Sequence, residues 1–245
     1  KTYPSGPTDV RDIVTDANKT VWMGTFTSGL WKYDGVIWNN ILPSSNGLKS
    51  EHPEIVGVDT DNSLWIGYKL DKGVSRLDNT SWTHYTSLAG LASNEVRAIA
   101  IDGNGVKWFG TSNGLSRYDG KNWKTYQTTD GLIDNSIWAI AIDMEGVIWV
   151  GTDKGVSSFN GVTWKSFSPE NSDLPSSTVW KIAVDSNNVK WFATRGGGIV
   201  SLISQSGPFV FVSSPNGGEL WEVGSTHDIA RSEERRVGKE CISRW

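Results

Sequence analysis

The 245-residue chain contains 27 glycines, 14 tryptophans and one cysteine, and its formal net charge is −4. A single cysteine excludes a disulfide framework and a cysteine-based zinc cluster, and the acidic balance argues against a broad nucleic-acid-binding face. The sequence contains no run of 18 apolar residues, so we expect no membrane span in it.

A repeat organises most of the chain. Its anchor is a Trp followed by an apolar residue, then Gly or Ala, then Thr or Tyr. The anchor tryptophans are Trp22, Trp65, Trp108, Trp149 and Trp191, with spacings of 43, 43, 41 and 42 residues. An Asp precedes each anchor by six residues, and a Gly with an apolar neighbour follows it. Self-similarity at such a fixed period is typical of solenoids and propellers.

The third unit shows how each repeat is built. An apolar, β-branched stretch at 96–102 is followed by strand-like segments at 106–111, 115–119 and 123–127, with Gly- and Asn-rich turns between them. Such turns mark antiparallel hairpins. Four strands per repeat predict an all-β fold, a β-propeller of four-stranded antiparallel blades over 10–203 with almost no helix. The almost unbroken apolar first strand, and its equivalent at 137–143, should be innermost and covered on both faces.

Both ends of the repeat region look interrupted. Lys1–Tyr3 has the sequence of the outer strand at Lys124–Tyr126, whereas the fifth unit shows three strands (179–185, 189–194 and 198–203) and no closing Trp. A strand at Lys1–Tyr3 would complete the fifth blade and give five closed blades. The alternative, which we slightly favour for the parent protein, is that these five repeats are an arc of a longer propeller.

The repeats carry a family resemblance, clearest at residues 108–119 and 135–159. They resemble the two-component regulator propeller repeat, and the five units extend the resemblance over 1–204. The resemblance implies a multi-bladed propeller, often of seven blades, that acts as an extracellular or periplasmic ligand-sensing module of bacterial regulators. Similar blades also occur in secreted surface proteins without a kinase. We therefore expect an extracellular, periplasmic or cell-surface location.

Two further segments follow the repeats. Residues 215–225, a Pro-Asn-Gly-Gly turn and an alternating strand, resemble the opening of an immunoglobulin-like domain of secreted bacterial proteins. We interpret 205–230 as a linker and the start of such a domain. Residues 231–245 resemble, from Arg231 to Cys241, the in-frame translation of a sequencing-library adapter that begins AGATCGGAAGAGC. We interpret them as a non-native tail; a charged, solvated tail is the alternative.

The repeated Asp and Trp residues have structural interpretations. We expect each Asp to cap its own hairpin turn, because no Glu closes these loops as a calcium loop requires. We expect the anchor tryptophans to pack in the core rather than to stack on sugars, because they recur in every unit with apolar neighbours. The sequence predicts no cofactor and no metal site.

Candidate ligand-binding residues lie where the repeat varies. The position eleven residues before each anchor starts the innermost strand, close to the axis on one face, and it carries Arg11, Glu54, Arg97, Trp138 and Trp180. The turn between the second and third strands reaches the same face and adds Tyr68, Asn113, Asp153 and Arg195. Aromatic faces beside Arg and carboxylates suit a polar, cyclic or sugar-like ligand. The alternative is that these are ordinary rim residues.

Signals of catalysis are sparse. Among the three histidines, His52 lies in a loop near the axial face without a partner, His84 on an outer strand and His227 beyond the propeller. The sequence shows no phosphate-binding loop or nucleophile elbow. We predict a non-enzymatic propeller that binds a carbohydrate, another small polar ligand or a protein partner, but no nucleic acid; the sensor part of a two-component regulator is one form of it. The alternatives are a structural spacer of a surface protein and a propeller lyase or glycosidase.

Overall fold

The chain folds into five four-stranded antiparallel sheets arranged as a five-bladed β-propeller. The computed structural model describes residues 6–43, 47–203 and 210–213. Helix is almost absent from these ranges: two single-turn 3-10 helices, Ser87–Ala89 and Thr128–Asp130, each follow the outer strand of a blade. The prediction of an all-β fold built from four-stranded blades is confirmed.

The first three blades follow the predicted strand order, with the first strand of each repeat innermost. Blade 1 contains β1 (Val10–Thr15), β2 (Val21–Thr25), β3 (Leu30–Tyr33) and β4 (Trp38–Ile41). Blade 2 contains β5 (Ile55–Val58), β6 (Leu64–Gly67), β7 (Val74–Asp78) and β8 (Ser81–Tyr85). Blade 3 contains β9 (Val96–Ile101), β10 (Lys107–Thr111), β11 (Gly114–Tyr118) and β12 (Trp123–Tyr126).

The last two blades repeat this order. Blade 4 contains β13 (Ile137–Ile142), β14 (Ile148–Thr152), β15 (Val156–Phe159) and β16 (Trp164–Phe167). Blade 5 contains β17 (Val179–Val184), β18 (Lys190–Thr194), β19 (Gly198–Ile203) and β20 (Val210–Ser213). The inner strands β1, β5, β9, β13 and β17 pack side by side in this order around the axis.

The outer strand of blade 5 differs from the expectation. β20 pairs with β19 and completes the blade, although it lies past the boundary that the sequence suggested at residue 204. The alternative strand, Lys1–Tyr3, lies outside the described residues. The immunoglobulin-like start at 215–225 and the tail at 231–245 also lie outside them, so both remain predictions.

In four blades the side chain of the Asp before the anchor Trp caps the first hairpin turn, whereas in blade 2 the Ser63 N–H of that turn donates to Asp61 instead. One oxygen of Asp143 accepts hydrogen bonds from the backbone N–H groups of Glu145 (3.1 Å) and Val147 (2.9 Å), and the other accepts the Trp149 indole N–H (2.8 Å). The same indole bond joins Asp16 to Trp22, Asp59 to Trp65 and Asp185 to Trp191. These bonds confirm the capping role of the Asp residues, since the carboxylate satisfies backbone donors of its own turn.

The glycine of the anchor explains how closely neighbouring blades approach. A Cβ atom on Gly110 would lie 2.5 Å from Cγ2 of Ile137 in blade 4, and one on Gly24 would lie 2.3 Å from the carbonyl oxygen of Pro53. Any larger residue would therefore push the next blade away. Trp149 is buried between blades 4 and 5, where its ring lies 5.9 Å from the ring of Phe192. This burial confirms core packing for the blade 4 anchor.

Two buried lysines, which the sequence analysis did not single out, link neighbouring blades. Lys190 of blade 5 lies 3.1 Å from Asp143 of blade 4, and both side chains are 2% exposed. Lys107 of blade 3 contacts Asp59 of blade 2 at 2.5 Å in the same way. Each lysine immediately precedes an anchor Trp, so it reaches the capping Asp of the blade before it. Buried charges require such partners.

Candidate functional site

Irregular strand pairing places the side chains of the variable position. Where β1, β9, β13 and β17 pair with their neighbouring strands, the register shifts at the residue eleven before the anchor. The residues at these shifts are Arg11, Arg97, Trp138 and Trp180. In blade 2 the equivalent Glu54 immediately precedes β5. Because a bulge bends a strand and redirects a side chain, this position differs physically from the regular core positions beside it.

Four of the predicted residues form one stack across three blades. The guanidinium of Arg97 lies 4.1 Å from the ring centroid of Trp138. The ring of Trp138 lies 6.0 Å from that of Trp180, with 25° between their planes. The guanidinium of Arg195 then lies 5.5 Å from the ring of Trp180. We call these four residues the axial stack.

Hydrogen bonds hold one end of the axial stack in place. Arg97 is bonded to the Glu95 carboxylate at 2.8–2.9 Å and to the Ser136 hydroxyl at 3.0 Å. The Ser136 hydroxyl and the Trp138 indole N–H in turn donate to Asp153, at 2.7 and 2.9 Å. Asp153, predicted as a rim residue, fixes the orientation of Trp138 through this bond. This end of the stack is therefore preorganised.

A contact between blades that are not neighbours shows how close the site lies to the axis. Lys69 of blade 2 lies 5.9 Å from the ring centroid of Trp138 in blade 4. Its ammonium is also 3.9 Å from Oε2 of Glu54, a residue that is only 4% exposed. The other oxygen, Oε1, is buried without a hydrogen-bond partner. A buried acceptor left unpaired is unusual and destabilising.

Arg11 lies in a second aromatic contact on blade 1. Its guanidinium is 4.8 Å from the ring centroid of Phe26, and that ring is 5.6 Å from the ring of His52. His52 Nδ1 is hydrogen-bonded to the Phe26 carbonyl oxygen. Within the described residues the His52 ring therefore contacts blade 1 and has no carboxylate partner, so it lacks the pairing that a catalytic base would use.

Two predicted rim residues occupy other environments. Tyr68 is fully buried, so its assignment to the accessible rim was wrong. It stands where the other blades carry Thr, whose hydroxyl points into the blade, and its own hydroxyl reaches Ser75 (2.8 Å) and the Lys49 N–H (3.2 Å). Burial raises the pKa of Tyr68. Asn113 is exposed, but it bonds to Gln127 after the outer strand rather than to the axial stack.

The residue that follows the Thr of each anchor, or Tyr68 in blade 2, was only partly predicted from the sequence. Counting four residues after the anchor Trp gives Phe26, Lys69, Ser112, Asp153 and Arg195. Of these, only Asp153 and Arg195 were predicted from the sequence. A constant offset, as used for the inner strand, would have found Lys69 and would have excluded Tyr68 and Asn113.

The described residues include no group of three or more His, Cys, Asp or Glu side chains placed to hold a metal ion. They also include no helix long and apolar enough to cross a membrane. What the arrangement offers chemically is planar aromatic surface beside cationic hydrogen-bond donors.

Comparison with protein families supports the repeat assignment. The sequence model of the family described as two component regulator propeller matches residues 131–154, which span the start of blade 4. No curated protein matches the chain. The match covers part of one repeat, and the other four repeats are related to that one by the anchor spacing described above.

Solved structures share the fold. The extracellular domain of a protein assigned to the hybrid two-component systems of B. thetaiotaomicron superposes with a TM-score of 0.72 at 22% identity, over 81% of this chain and 28% of that one. Virginiamycin B lyase from Staphylococcus aureus gives 0.68 at 15% identity, over 86% and 73%. PorZ, a surface component of the type-IX secretion system of Porphyromonas gingivalis, gives 0.60 at 18%, over 80% and 33%. These likenesses show a propeller architecture that sensor, enzyme and secretion proteins all use.

Proposed function

We propose that this chain is a non-enzymatic, ligand-binding β-propeller that acts outside the cytoplasm as the sensor module of a bacterial regulator. The axial stack carries the proposal, because it places unlike residues from three blades on one rim. Trp180 remains 51% exposed within it. A half-exposed indole beside cationic groups is suited to a small polar, cyclic ligand such as a carbohydrate.

The sensor role and the location rest on the comparisons. The family match at 131–154 and the likeness to the extracellular domain of a two-component system both point to sensing at the cell surface or in the periplasm. The chain spans 28% of that extracellular domain's chain, so the activity of a whole regulator is part of the proposal. A protein partner in place of a small ligand would use the same rim.

The enzyme alternative has less support. The lyase likeness is at 15% identity and concerns the fold. A lyase or glycosidase would use a base or acid close to the axis, whereas His52 contacts Phe26 and the carboxylates of Asp153 and Glu95 are bonded to Trp138 and Arg97. The spacer alternative would leave the bulged position and its varied side chains without a purpose.

A glycan array followed by calorimetric titration tests the proposal. We expect the protein to bind at least one carbohydrate, and we expect Trp138→Ala to weaken that binding by about 1–3 kcal/mol, as for a truncated aromatic anchor. Val162→Ala, at an exposed turn residue between β15 and β16, is the control and should bind normally. Binding that is unchanged by Trp138→Ala, or the absence of binding to any glycan or small polar compound, would contradict the proposal.

A further inference from the structure

The hydrogen-bonding state of the charged rim residues indicates the charge of the ligand. We propose, on the basis of the function proposed above, that the ligand is a ring-bearing anion that binds beside the exposed surface of Trp180, where Arg195 and Lys69 are the cationic donors along the axial stack. The rim carries four acidic and four basic residues at the positions thirteen and eleven residues before the anchor Trp and four residues after it. They are Asp9, Glu54, Glu95, Asp153, Arg11, Lys69, Arg97 and Arg195. Their formal charges cancel, so the inference depends on which groups are already paired.

The acidic side of the rim is occupied. Glu95 is paired with Arg97 at 2.8 Å, and both oxygens of Asp153 accept bonds, from Ser136 and from Trp138. Asp9 accepts bonds from the N–H and hydroxyl of Thr27 at 2.6 and 2.7 Å. A carboxylate that already accepts hydrogen bonds gains less from a further donor.

Two oxygens of these carboxylates are buried without a hydrogen-bond partner and are therefore out of reach. Oδ1 of Asp9 and Oε1 of Glu54 are both buried. The ammonium of Lys69 lies beside the Glu54 carboxylate and would have to leave before a ligand donor could approach from that direction. A cationic ligand would therefore meet no exposed, unpaired carboxylate in this part of the rim.

The basic side of the rim keeps free donors. Within the described residues the Arg195 side chain has no carboxylate partner, and its neighbour is the ring of Trp180. A guanidinium carries five N–H donors, and stacking on a ring uses none of them. Lys69 is 43% exposed, and its 3.9 Å separation from Glu54 exceeds hydrogen-bond distance. Both groups can therefore donate to an incoming anion.

The aromatic contacts make these cations effective. Arg195 and Lys69 each lie within 6 Å of an indole ring, which attracts a cation through its electron-rich face. This contact holds the flexible side chain near the rim before the ligand arrives. A carboxylate or sulfate accepts charge-assisted hydrogen bonds from such donors, and these are stronger than bonds between neutral groups. The site would thus select an anion although the whole chain has a net charge of −4.

Calorimetric titration with four probes separates the ring from the charge. Glucuronate carries a ring and a carboxylate, glucose 6-sulfate a ring and a sulfate, methyl glucoside a neutral ring, and acetate a carboxylate alone. We expect both charged sugars to bind about tenfold more tightly than methyl glucoside, because each charged hydrogen bond adds at least that factor. The stronger of the two shows whether the acidic group is a carboxylate or a sulfate. Acetate should bind more weakly than glucuronate.

The outcomes distinguish the two proposals. Equal binding of methyl glucoside and glucuronate would overturn the anion inference and leave the ligand-binding function standing. Tighter binding of acetate than of glucuronate would overturn the role of the ring. No binding of any probe up to 50 mM would overturn the inference, while a glycan-array hit with a neutral sugar would still support the function.

Substitutions assign the effect to the two cations. Arg195→Gln should weaken glucuronate binding about tenfold and leave methyl glucoside binding unchanged within twofold. Lys69→Met should act in the same way, and Lys69→Arg should restore binding while keeping a cation beside Glu54. Lys121→Met, on the exposed turn between β11 and β12, is the matched lysine control. Equal losses for glucuronate and methyl glucoside would show that the two residues act only through the structure, and the inference would fail.

Discussion

The middle blades and the end blades are built from the same repeat, but they differ in how far equivalent apolar residues are shielded from solvent. The anchors Trp65, Trp108 and Trp149 of blades 2 to 4 are 1–4% exposed, whereas Trp191 of blade 5 is 37% exposed. At the start of the inner strand, Val96, Ile137 and Val179 are fully buried, whereas Val10 of blade 1 is 41% exposed.

This difference shows that the anchor Trp and the first residue of the inner strand are buried by the neighbouring blade and not by their own blade. Val179 of blade 5 covers Gly151 of blade 4, whereas Ala193 occupies the anchor glycine position of blade 5. The stability of a repeat array is approximately a sum of repeat terms and neighbour interfaces. The same residue type should therefore contribute differently according to its position, which equivalent substitutions in two blades can measure.

The largest contrast is expected between two anchor tryptophans. Trp149→Ala should lower the free energy of unfolding by about 3–5 kcal/mol, because it opens a cavity between blades 4 and 5. Trp191→Ala should cost less than about 2 kcal/mol, since its ring already contacts solvent. Denaturant titration of both variants measures the difference. Equal losses would show that the neighbouring blade contributes nothing to the anchor.

The capping aspartates give a second contrast. Asp143 is bonded to Trp149 and lies beside the buried Lys190, whereas Asp185 of blade 5 caps its turn and bonds to Trp191. Asp143→Asn removes the nearer of the two carboxylates beside the buried Lys190, leaving only Glu145 at 3.9 Å, and should cost about 3 kcal/mol. Asp185→Asn should cost about 1 kcal/mol or less, as for a lost cap. A larger loss for Asp185→Asn in chemical denaturation at pH 7 would contradict the account.

The ion pair between Asp143 and Lys190 predicts how the stability of the protein responds to acid. Burial raises the pKa of Asp143, but the bonds from Trp149 and Val147 and the Lys190 charge outweigh it and hold the pKa below its ordinary 3.8. A lowered folded-state pKa means that this stability is present above the ordinary value and is lost as the pH falls through the folded value. Asp143→Asn should therefore flatten the dependence of unfolding free energy on pH below about 4. An unchanged slope in that range would show that Asp143 does not contribute to the pH dependence of stability.

The anchor glycine offers a third test. Gly110→Ala should cost about 1–3 kcal/mol, because its new methyl group meets Ile137 of the next blade. Ala193→Gly in blade 5 should cost about 0.5–1 kcal/mol, the ordinary penalty of a strand glycine. Thermal unfolding of the two variants compares them directly. A neutral Gly110→Ala would mean that the blades can move apart without loss.

The smallest contrast uses two valines at equivalent positions. Val179→Thr places a hydroxyl in the contact between blades 4 and 5 and should cost about 1–2 kcal/mol. Val10→Thr introduces the same hydroxyl at an exposed position and should change stability by less than about 0.5 kcal/mol. The comparison holds chemistry constant and varies only the covering blade. A similar cost at both positions would contradict the neighbour-burial account.

The blades could be predicted from the sequence because each offset from the anchor Trp corresponds to a turn or a strand of the blade. Inner strands at 96–101 and 137–142, the capping role of Asp143 and the packing of Trp149 all follow from local turns and apolar runs. The sequence did not predict β20, because Val210–Ser213 is joined to β19 without the short turn and closing Trp of the other blades.

The site was harder to predict because it depends on side-chain direction. Arg97, Trp138 and Trp180 share the bulged position and lie next to one another, because equivalent positions of successive blades are adjacent around the axis. Tyr68 was misplaced because one step along a strand turns a side chain to the opposite face. The approach of Lys69 to Trp138 joins blades 2 and 4, and no spacing in the sequence encodes a contact between blades that are not neighbours.

Two half-exposed tryptophans of blade 5 test the central claim most directly. Trp180 belongs to the axial stack and is 51% exposed, whereas Trp191 is the anchor of blade 5, lies outside the stack and is 37% exposed. Calorimetric titration of Trp180→Ala and Trp191→Ala with the carbohydrate identified on the array compares a rim position with the anchor position of the same blade. The account predicts that Trp180→Ala weakens binding by about 1–3 kcal/mol and that Trp191→Ala leaves it unchanged. Full binding by Trp180→Ala, or an equal loss in both variants, would contradict the assignment of the axial rim as the ligand site.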